Sequence, residues 1–141
     1  MREIKFRAWI ENNEEMCEVV SLQRPHVVVS CIDRSTVYMS MQQPMTQKLL
    51  KLDKVKLMQY TGSKDKNGIE IYEGDIIKGT HLFVSRFDNQ SKKVKMNNGI
   101  ICFSLYGFKI NIDKGEHLYI LSDNDVIEVI GNIYENKDLI K

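Results

Sequence analysis

The amino-acid sequence predicts a mostly-β protein, α+β at most. Apolar and polar residues alternate with a period of two through most of the apolar segments, which is the pattern of half-buried strands. Turn-forming residues interrupt these segments every 8–12 residues or so, and only one segment has helical spacing. A chain of 141 residues forms one domain or two small lobes. We divide it into an N-terminal β lobe, residues 1–59, and a C-terminal β-barrel or sandwich, residues 60–141.

The first four apolar segments are predicted to be strands. "IKFRAWI" (4–10) alternates, and "MCEVVSL" (16–22) follows a polar break as its hairpin partner. "HVVVSCI" (26–32) and "TVYMSM" (36–41) are rich in β-branched and aromatic residues and are too short for helices. In the first segment the apolar positions that share one face are Ile4, Phe6, Ala8 and Ile10, whereas Lys5, Arg7 and Trp9 share the other.

Residues 45–53, "MTQKLLKLD", are the one predicted helix. The segment follows Pro44, contains good helix formers and places its apolar residues at helical spacing. Residues 51–57, which include the end of this segment, could equally form an alternating strand. The next segment, "KVKLMQY" (54–60), alternates and is predicted to be a strand.

The C-terminal part is predicted to consist of short strands joined by turns. The Asn98-Gly99 pair is the signal of a tight hairpin. Gly131, inside the last strand, would allow the sharp bend of a barrel corner. The predicted strands are "DIIKG" (75–79), "HLFVSRF" (81–87), "KKVKM" (92–96), "IICFSLYGF" (100–108), "HLYIL" (117–121) and "DVIEVIGNIYE" (125–135).

The charge and the cysteine content exclude several classes of protein. A formal net charge of +1 gives no global field to hold nucleic acid or a membrane surface. The first residues lack the apolar core of a signal peptide, and no apolar run approaches the roughly 20 residues that cross a bilayer. Cys17, Cys31 and Cys102 are odd in number and widely spaced. We therefore predict reduced thiols in a cytoplasmic protein, rather than a disulfide framework or a zinc site.

Residues 60–78, "YTGSKDKNGIEIYEGDIIK", combine turn formers with acidic residues. They do not match a calcium loop that begins at Asp65, because Gly68 stands at the fourth position of the loop instead of the sixth and Ile76 stands at the twelfth, where a ligand glutamate belongs. They do not match a phosphate cradle either, because the glycines are six residues apart and a strand follows them. We predict a two-residue turn at Asn67-Gly68 with positive φ, and a second turn at residues 73–75.

This interpretation makes Gly68 the critical residue of the stretch. A β-branched residue there would be strained by about 1–3 kcal/mol. The Asp65 carboxylate is expected to make at most a local hydrogen bond to the backbone, worth roughly 0.5–1.5 kcal/mol.

No group of residues has the sequence spacing of a catalytic or metal site. His26, His81 and His117 lack ligand spacing to one another or to a cysteine. Nothing marks one of the three thiols as a nucleophile, although a cysteine–histidine pair formed in space stays open. We therefore predict no catalytic residue, no metal and no cofactor.

One surface is a candidate for binding. Lys93 and Lys95 share a face of their predicted strand, and with Trp9, Tyr60 and Tyr72 they could form a basic, aromatic strip for nucleic acid. A strand face that is exposed to solvent is the simpler explanation of the lysines, because it requires no ligand. Binding through this strip is expected to be weak, with a dissociation constant no tighter than about 10⁻⁴–10⁻⁶ M.

Three segments of the sequence resemble the YopX family, a group of small bacteriophage and prophage proteins. They are "REIKFRAWI" (2–10), "LMQYTGSKDKNGIEIYEGDIIK" (57–78) and "EVIGNIYEN" (128–136). Ile10 is a departure, because the family usually has Asp after the Trp. The resemblance implies an SH3-like β-barrel in residues 60–141, with no assigned enzymatic activity, cofactor or ligand. It also implies residence in the cytoplasm of a bacterial host.

We therefore expect a non-enzymatic phage or prophage accessory protein that is not associated with a membrane. Its expected role is that of a protein-interaction module, acting on a host or phage protein or on a second copy of itself. A nucleic-acid-binding module that uses the lysines and aromatic rings is the alternative.

Overall fold

The computed structural model describes residues 3–32, 45–85, 87–112, 117–123 and 125–140. Strands dominate these residues, and no α-helix occurs among them, which confirms the mostly-β class. None of the helical turns in the described part of the chain has the length and apolar character to span a membrane. The strands are β1 Phe6–Ile10, β2 Glu15–Gln23, β3 His26–Ile32, β4 Met45–Lys51, β5 Val55–Lys64, β6 Glu70–Tyr72, β7 Asp75–Val84, β8 Ser91–Ser104, β9 Gly107–Ile112, β10 His117–Ile120 and β11 Val126–Asn132, and the short 3-10 helices are Glu11–Asn13, Leu52–Lys54 and Lys137–Ile140.

The chain divides into two compact units, Ile4–Gln59 and Tyr60–Lys141, and Glu3 belongs to the second. Strands β1–β4 and the first half of β5 lie in the N-terminal unit. The second half of β5 and strands β6–β11 lie in the C-terminal unit. Each unit has its own cluster of buried apolar side chains.

The N-terminal unit is an antiparallel sheet in the order β4-β3-β2-β1-β5. The predicted β1–β2 hairpin is confirmed, with Ala8 opposite Cys17 and Ile10 opposite Glu15. One face of the sheet carries the core, because alternate residues of each strand point to the same side. The buried members of this core are Ala8, Ile10, Cys17, Val27, Val29, Cys31 and Val55.

The predicted helix at residues 45–53 is wrong. Met45–Lys51 form strand β4, which pairs antiparallel with all seven residues of β3, and only Leu52–Lys54 turn into a 3-10 helix. Lys48 and Leu50 alternate with the exposed Gln47 and Leu49, so the segment fits a half-buried strand as well as a helix. A helix this short is marginal in water, whereas pairing with β3 supplies a complete ladder of hydrogen bonds. The strand predicted at residues 36–41 lies outside the described residues.

The C-terminal unit contains a five-stranded antiparallel sheet in the order β10-β9-β8-β7-β11. Strands β7 to β10 follow one another as a meander, and β11 returns to pair with β7. The pairings among the described residues do not close this sheet into a barrel, so the SH3-like barrel is not confirmed. The buried core consists of Ile71, Ile77, Met96, Ile101, Phe108, Ile110, Ile112 and Ile127.

The hairpin predicted at Asn98-Gly99 is also wrong. Strand β8 runs through this pair, and the turn comes later, at residues 105–106. Ile77 pairs with Gly99 and Gly79 pairs with Met96, so β8 has one more residue than β7 between these pairs and forms a bulge. A Cβ atom on Gly99 would lie 2.8 Å from Ile110 Cγ2 and 3.3 Å from Ile77 Cγ1. Glycine is therefore used here for close packing inside a strand and not for a turn.

Two further strand predictions are modified. The segments predicted as separate strands at 75–79 and 81–87 form the single strand β7, Asp75–Val84. In β11 the register shifts between Val129 and Gly131, which is a bulge next to the residue where the sharp bend of a barrel corner was predicted; the corner itself is not confirmed. A Cβ atom on Gly131 would lie within contact distance of the Asn136 side chain, which leaves no room for a larger residue.

Candidate functional site

Residues 60–78 form a hairpin followed by a tight turn, as predicted. β5 pairs with β6, with Tyr60 opposite Tyr72 and Lys64 opposite Glu70. The connecting loop spans five residues, Asp65–Ile69, so the predicted two-residue turn is too short. Gly68 has φ +81° as predicted, a conformation that glycine adopts without strain. Gly74, in the second turn, also has φ +81°, and the turn leads directly into β7.

The Asp65 carboxylate accepts more hydrogen bonds than the sequence predicts. Oδ1 accepts hydrogen bonds from the backbone N–H groups of Asn67 at 2.8 Å and Ile69 at 2.9 Å. Oδ2 accepts a third from the N–H of Val129 at 3.0 Å, which belongs to β11, 64 residues away in sequence. The expectation of a purely local hydrogen bond is therefore wrong. Asp65 holds the hairpin loop to the last strand of the sheet.

The environment of Asp65 sets its protonation. Burial raises the pKa of Asp65, but the N–H groups of Val129, Ile69 and Asn67, together with the charge of Lys66, outweigh burial and leave the pKa below its ordinary value. The carboxylate is therefore ionised at neutral pH. Its role is structural, because all its described partners are backbone N–H groups or the neighbouring lysine.

The predicted basic, aromatic strip is not a continuous exposed surface. Lys93 and Lys95 are exposed on β8, as expected for alternate residues of one face. Tyr60 and Tyr72 are brought together, with ring centroids 5.4 Å apart, but both are buried. Trp9 is buried as well, in the other unit. The three aromatic rings therefore offer little surface on which a base could stack.

The β8–β9 hairpin presents a different exposed surface, which we call the apolar tip and define as Phe103, Leu105 and Tyr106. Leu105 is 98% exposed, Tyr106 is 81% exposed and Phe103 is 54% exposed. Large apolar side chains that cluster on a surface mark binding sites more often than isolated ones do. The sequence shows this cluster only as "FSLYGF", which was interpreted as a continuous strand.

The apolar tip is held in a defined conformation. The Phe103 ring packs on the buried Phe108 ring at a centroid distance of 5.1 Å. The Ser104 hydroxyl donates a hydrogen bond to the Gly107 carbonyl at 3.1 Å and accepts one from the Tyr106 N–H at 3.4 Å. Lys109 Nζ lies 5.4 Å from the centroid of the Tyr106 ring. A partner would therefore meet a pre-organised surface, and little conformational entropy would be lost on binding.

A buried histidine–aspartate pair lies at the other end of the same sheet. His81 Nδ1 and Asp125 Oδ1 are 2.7 Å apart, and both side chains are almost fully buried. Asp125 also accepts hydrogen bonds from the N–H groups of Leu82 and Ser122, and the His81 ring packs against Tyr119. His81 lies in strand β7, and its side chain is buried there. The pair fixes the β10–β11 connection to β7.

Cys102 is the free cysteine of the structure, and it is half-buried. Burial raises the pKa of the Cys102 thiol, and the charge of Glu73 raises it further, whereas Lys109 has the opposite effect. A thiol with a raised pKa is mostly protonated at neutral pH and is a poor nucleophile. This environment agrees with the interpretation of Cys102 as an inert residue.

The prediction that all three cysteines are reduced is wrong for two of them. Cys17 of β2 and Cys31 of β3 form a disulfide, with their Cα atoms 4.7 Å apart. Glu18 pairs with Ser30, so the two cysteines face each other across the next position of the hairpin. The sequence separation of 14 residues is bridged by the pairing of β2 with β3 together with the bulge between Val19 and Ser21, which brings the two cysteines opposite each other. Glu15, on the same face of β2, brings a carboxylate within 4.8 Å of both sulfurs.

Comparisons with known proteins identify similarity in family and in fold. A family model described as YopX protein matches residues 5–141. The crystal structure of protein EF1440 from Enterococcus faecalis is similar to this chain with a TM-score of 0.61 and 24% sequence identity, over 100% of both chains. At that identity the likeness concerns the fold alone. The comparison with curated proteins found no match to the sequence.

Proposed function

The chain belongs to the YopX family, and from this premise we propose that it is a non-enzymatic phage or prophage accessory protein that acts by binding another protein. The partner is a host or phage protein, or a second copy of the chain, and binding takes place in the cytoplasm of the bacterial host. The observation that carries the proposal is the apolar tip of the β8–β9 hairpin.

Three properties of the apolar tip support a protein partner. Leu105 and Tyr106 expose almost their whole side chains to solvent. Tyrosine is among the residues that dominate the binding energy of protein interfaces. The Phe103–Phe108 contact and the Ser104 hydrogen bonds hold the exposed residues in place before a partner arrives.

The test is capture of partners by a tip variant and a matched control. The tip variant carries Leu105→Ser and Tyr106→Ser. The control carries Val84→Ser, at the last residue of β7, and Phe87→Ser, in the connection from β7 to β8; the two side chains are 62% and 101% exposed. Both variants lose exposed apolar surface from the same sheet, but at opposite ends of β8.

Tagged parent, tip variant and control are used to capture proteins from lysogenic host cells, and captured proteins are quantified by mass spectrometry. A partner that depends on the apolar tip falls at least tenfold with the tip variant, since a loss of about 1.4 kcal/mol already gives that factor. The control retains it. Equal capture by parent and tip variant refutes the proposal, and so does an equal loss with the control.

Nucleic-acid binding is the second candidate, and the exposed lysines of β8 favour it. Lys93 and Lys95 point to solvent from alternate positions. Lys92 is exposed too, but its ammonium pairs with Asp88 at 3.0 Å. Because Trp9, Tyr60 and Tyr72 are buried, the lysines support only weak, salt-sensitive contacts to phosphates. Nanomolar affinity for DNA or RNA at physiological salt would favour this candidate over protein binding.

We further propose that the C-terminal sheet is a variant of the SH3-like barrel. The support is its strand order, in which a four-stranded meander is completed by a fifth strand that returns beside the first. Closure would require β10 to approach β11. An experimental structure in which these two strands are hydrogen-bonded would establish the barrel, and one in which they are separated by solvent would exclude it.

A further inference from the structure

Glu15, Cys17 and Cys31 form a compact group of ligand-type side chains at the rim of the N-terminal core. The carboxylate oxygen and the two sulfurs all lie within 4.8 Å of one another. In the described part of the chain, no other group of three or more His, Cys, Asp or Glu side chains is this close. The group lies within one unit, on two strands that are paired along their length.

We propose that this group, in its reduced form, binds a thiophilic divalent cation, for which Zn²⁺ is the best match. Thiolate and carboxylate are both accepted ligands of Zn²⁺, and three protein ligands with a water molecule complete its tetrahedral geometry. Thiolates select against Mg²⁺ and Ca²⁺, which prefer oxygen ligands. This inference goes beyond the proposed protein binding, which concerns the C-terminal unit.

The charges around the group fit a doubly charged cation. Two thiolates and a carboxylate carry a charge of −3. Lys48 donates a hydrogen bond to Glu15 Oε2 at 3.0 Å and contributes +1, so a divalent cation brings the sum to zero. Cys17 and Cys31 are 3% and 1% exposed and lie among apolar side chains. An unbalanced charge is strongly unfavourable in such surroundings.

The disulfide occupies both sulfurs, so reduction must come before metal binding. A phosphine transfers two electrons to the disulfide and takes an oxygen from water, and each sulfur receives one proton. In the cytoplasm, a low-molecular-weight thiol would be the reductant, and would itself be oxidised to a disulfide. Metal binding then releases the two thiol protons. The cation would enter beside Glu15 and Lys48, whose side chains are 12% and 37% exposed.

The test uses Co²⁺ as a spectroscopic substitute for Zn²⁺. Full-length protein is reduced with a phosphine, freed of metal and titrated with Co²⁺ without oxygen. We expect near-ultraviolet thiolate-to-cobalt charge-transfer absorption that saturates at one equivalent and disappears when Zn²⁺ is added. The oxidised protein is the matched control and should give no such absorption. If the reduced, folded protein gives none either, the proposal is wrong.

Variants assign the ligands. Cys17→Ser is expected to abolish the site, and its folding is checked by circular dichroism. Glu15→Gln keeps both thiolates and should keep the absorption, but with affinity lowered at least about 10–100-fold, the loss that is typical even for an outer-shell partner. Cys102→Ser removes the thiol of the other unit and should change nothing.

Two outcomes overturn the proposal even if Cys17→Ser fails to fold. Equal Co²⁺ affinity of the parent and Glu15→Gln would remove Glu15 from the ligand set, and the three-ligand site with it. Loss of the absorption in Cys102→Ser would place the metal elsewhere. Neither result bears on the apolar tip, so the two proposals are tested separately.

Discussion

Replacing Asp65 with alanine is expected to destabilise the protein by about 3 kcal/mol, because its carboxylate is the acceptor for three backbone N–H groups. The N–H of Val129 lies in β11 and is partly buried, and leaving it without an acceptor costs about 1–2 kcal/mol. The N–H groups of Asn67 and Ile69 belong to exposed residues and can turn to water. Their share is therefore smaller, roughly 0.5–1 kcal/mol each.

Thermal melting followed by circular dichroism measures this loss. A change of about 3 kcal/mol corresponds to a fall in melting temperature of roughly 10 °C for a chain of this size. Gly68 supplies matched variants from the same loop. Gly68→Val adds a Cβ atom that meets nothing within 4 Å, so its cost is the backbone strain alone, about 1–3 kcal/mol. Gly68→Asn should be milder, because asparagine tolerates positive φ.

We therefore expect Asp65→Ala to destabilise the protein at least as much as Gly68→Val does. Gly68→Asn should destabilise it least. Surface substitutions usually change stability by no more than about 0.5 kcal/mol, or roughly 2 °C. If Asp65→Ala melts within that interval of the parent, the carboxylate does not hold the loop to β11, and the reasoning is refuted.

The same carboxylate gives a pH dependence with a definite sign. The pKa of Asp65 is lowered in the folded protein from the ordinary value of 3.8. Its contribution to stability is therefore complete above pH 3.8 and is lost as the pH falls through the folded pKa. Urea unfolding should show the parent losing its advantage over Asp65→Ala across that acidic window. An advantage that is unchanged well below the window would contradict the lowered pKa.

Three further predictions concern other parts of the C-terminal unit. Gly99→Ala should lower the free energy of unfolding by about 1–3 kcal/mol, because its Cβ would clash with two isoleucine side chains. Asn97 is exposed, so Asn97→Ala is the control and should unfold in urea almost like the parent. Asp125→Ala should cost about 2–4 kcal/mol, since it leaves the buried His81 ring and two partly buried backbone N–H groups without their acceptor. Asp123→Ala removes one exposed hydrogen bond, and equal melting of the two variants would contradict this difference. Cys102 should react with iodoacetamide more slowly in the folded protein than in the denatured protein at neutral pH. Its reaction rate should still be rising above pH 9.0, because the thiol pKa is raised from that value. Mass spectrometry of the labelled peptide measures both rates.

The strands that the sequence predicted correctly are those in which alternation coincides with burial. β1, β2, β3 and β5 are examples, and their inward residues form the N-terminal core. The segment 45–53 was misassigned because its apolar residues fit both periods, and the choice was made by pairing with β3, a contact between distant residues. Local propensity is a weak prior when tertiary pairing competes with it.

The features of the candidate site were harder to predict, since the Asp65 and cysteine contacts join residues that are distant in sequence. The Asp65–Val129 hydrogen bond spans 64 residues, and no local pattern indicates it. Pairing the two predicted strands around residues 24–25 would place Cys17 opposite Ile32, and only the bulge between Val19 and Ser21 brings it opposite Cys31, so simple hairpin pairing would have missed the Cys17–Cys31 contact. The apolar tip was hidden because the turn at Leu105 and Tyr106 contains no residue typical of a turn before Gly107.

The extra residue in β8 has a consequence for how this chain can change during evolution. Before the bulge, Val94 and Met96 face the core, and after it Gly99 and Ile101 do, so the inserted position resets the alternation of the strand. Deleting one residue between Met96 and Gly99 would turn every later side chain of β8 to the opposite face, and Phe103 would lose its place on Phe108. Relatives that share this packing should therefore vary freely in identity at position 97, whereas Asn98 donates a hydrogen bond to the Leu139 carbonyl, and they should keep the number of residues between Met96 and Gly99. Insertions and deletions should instead accumulate in the loops.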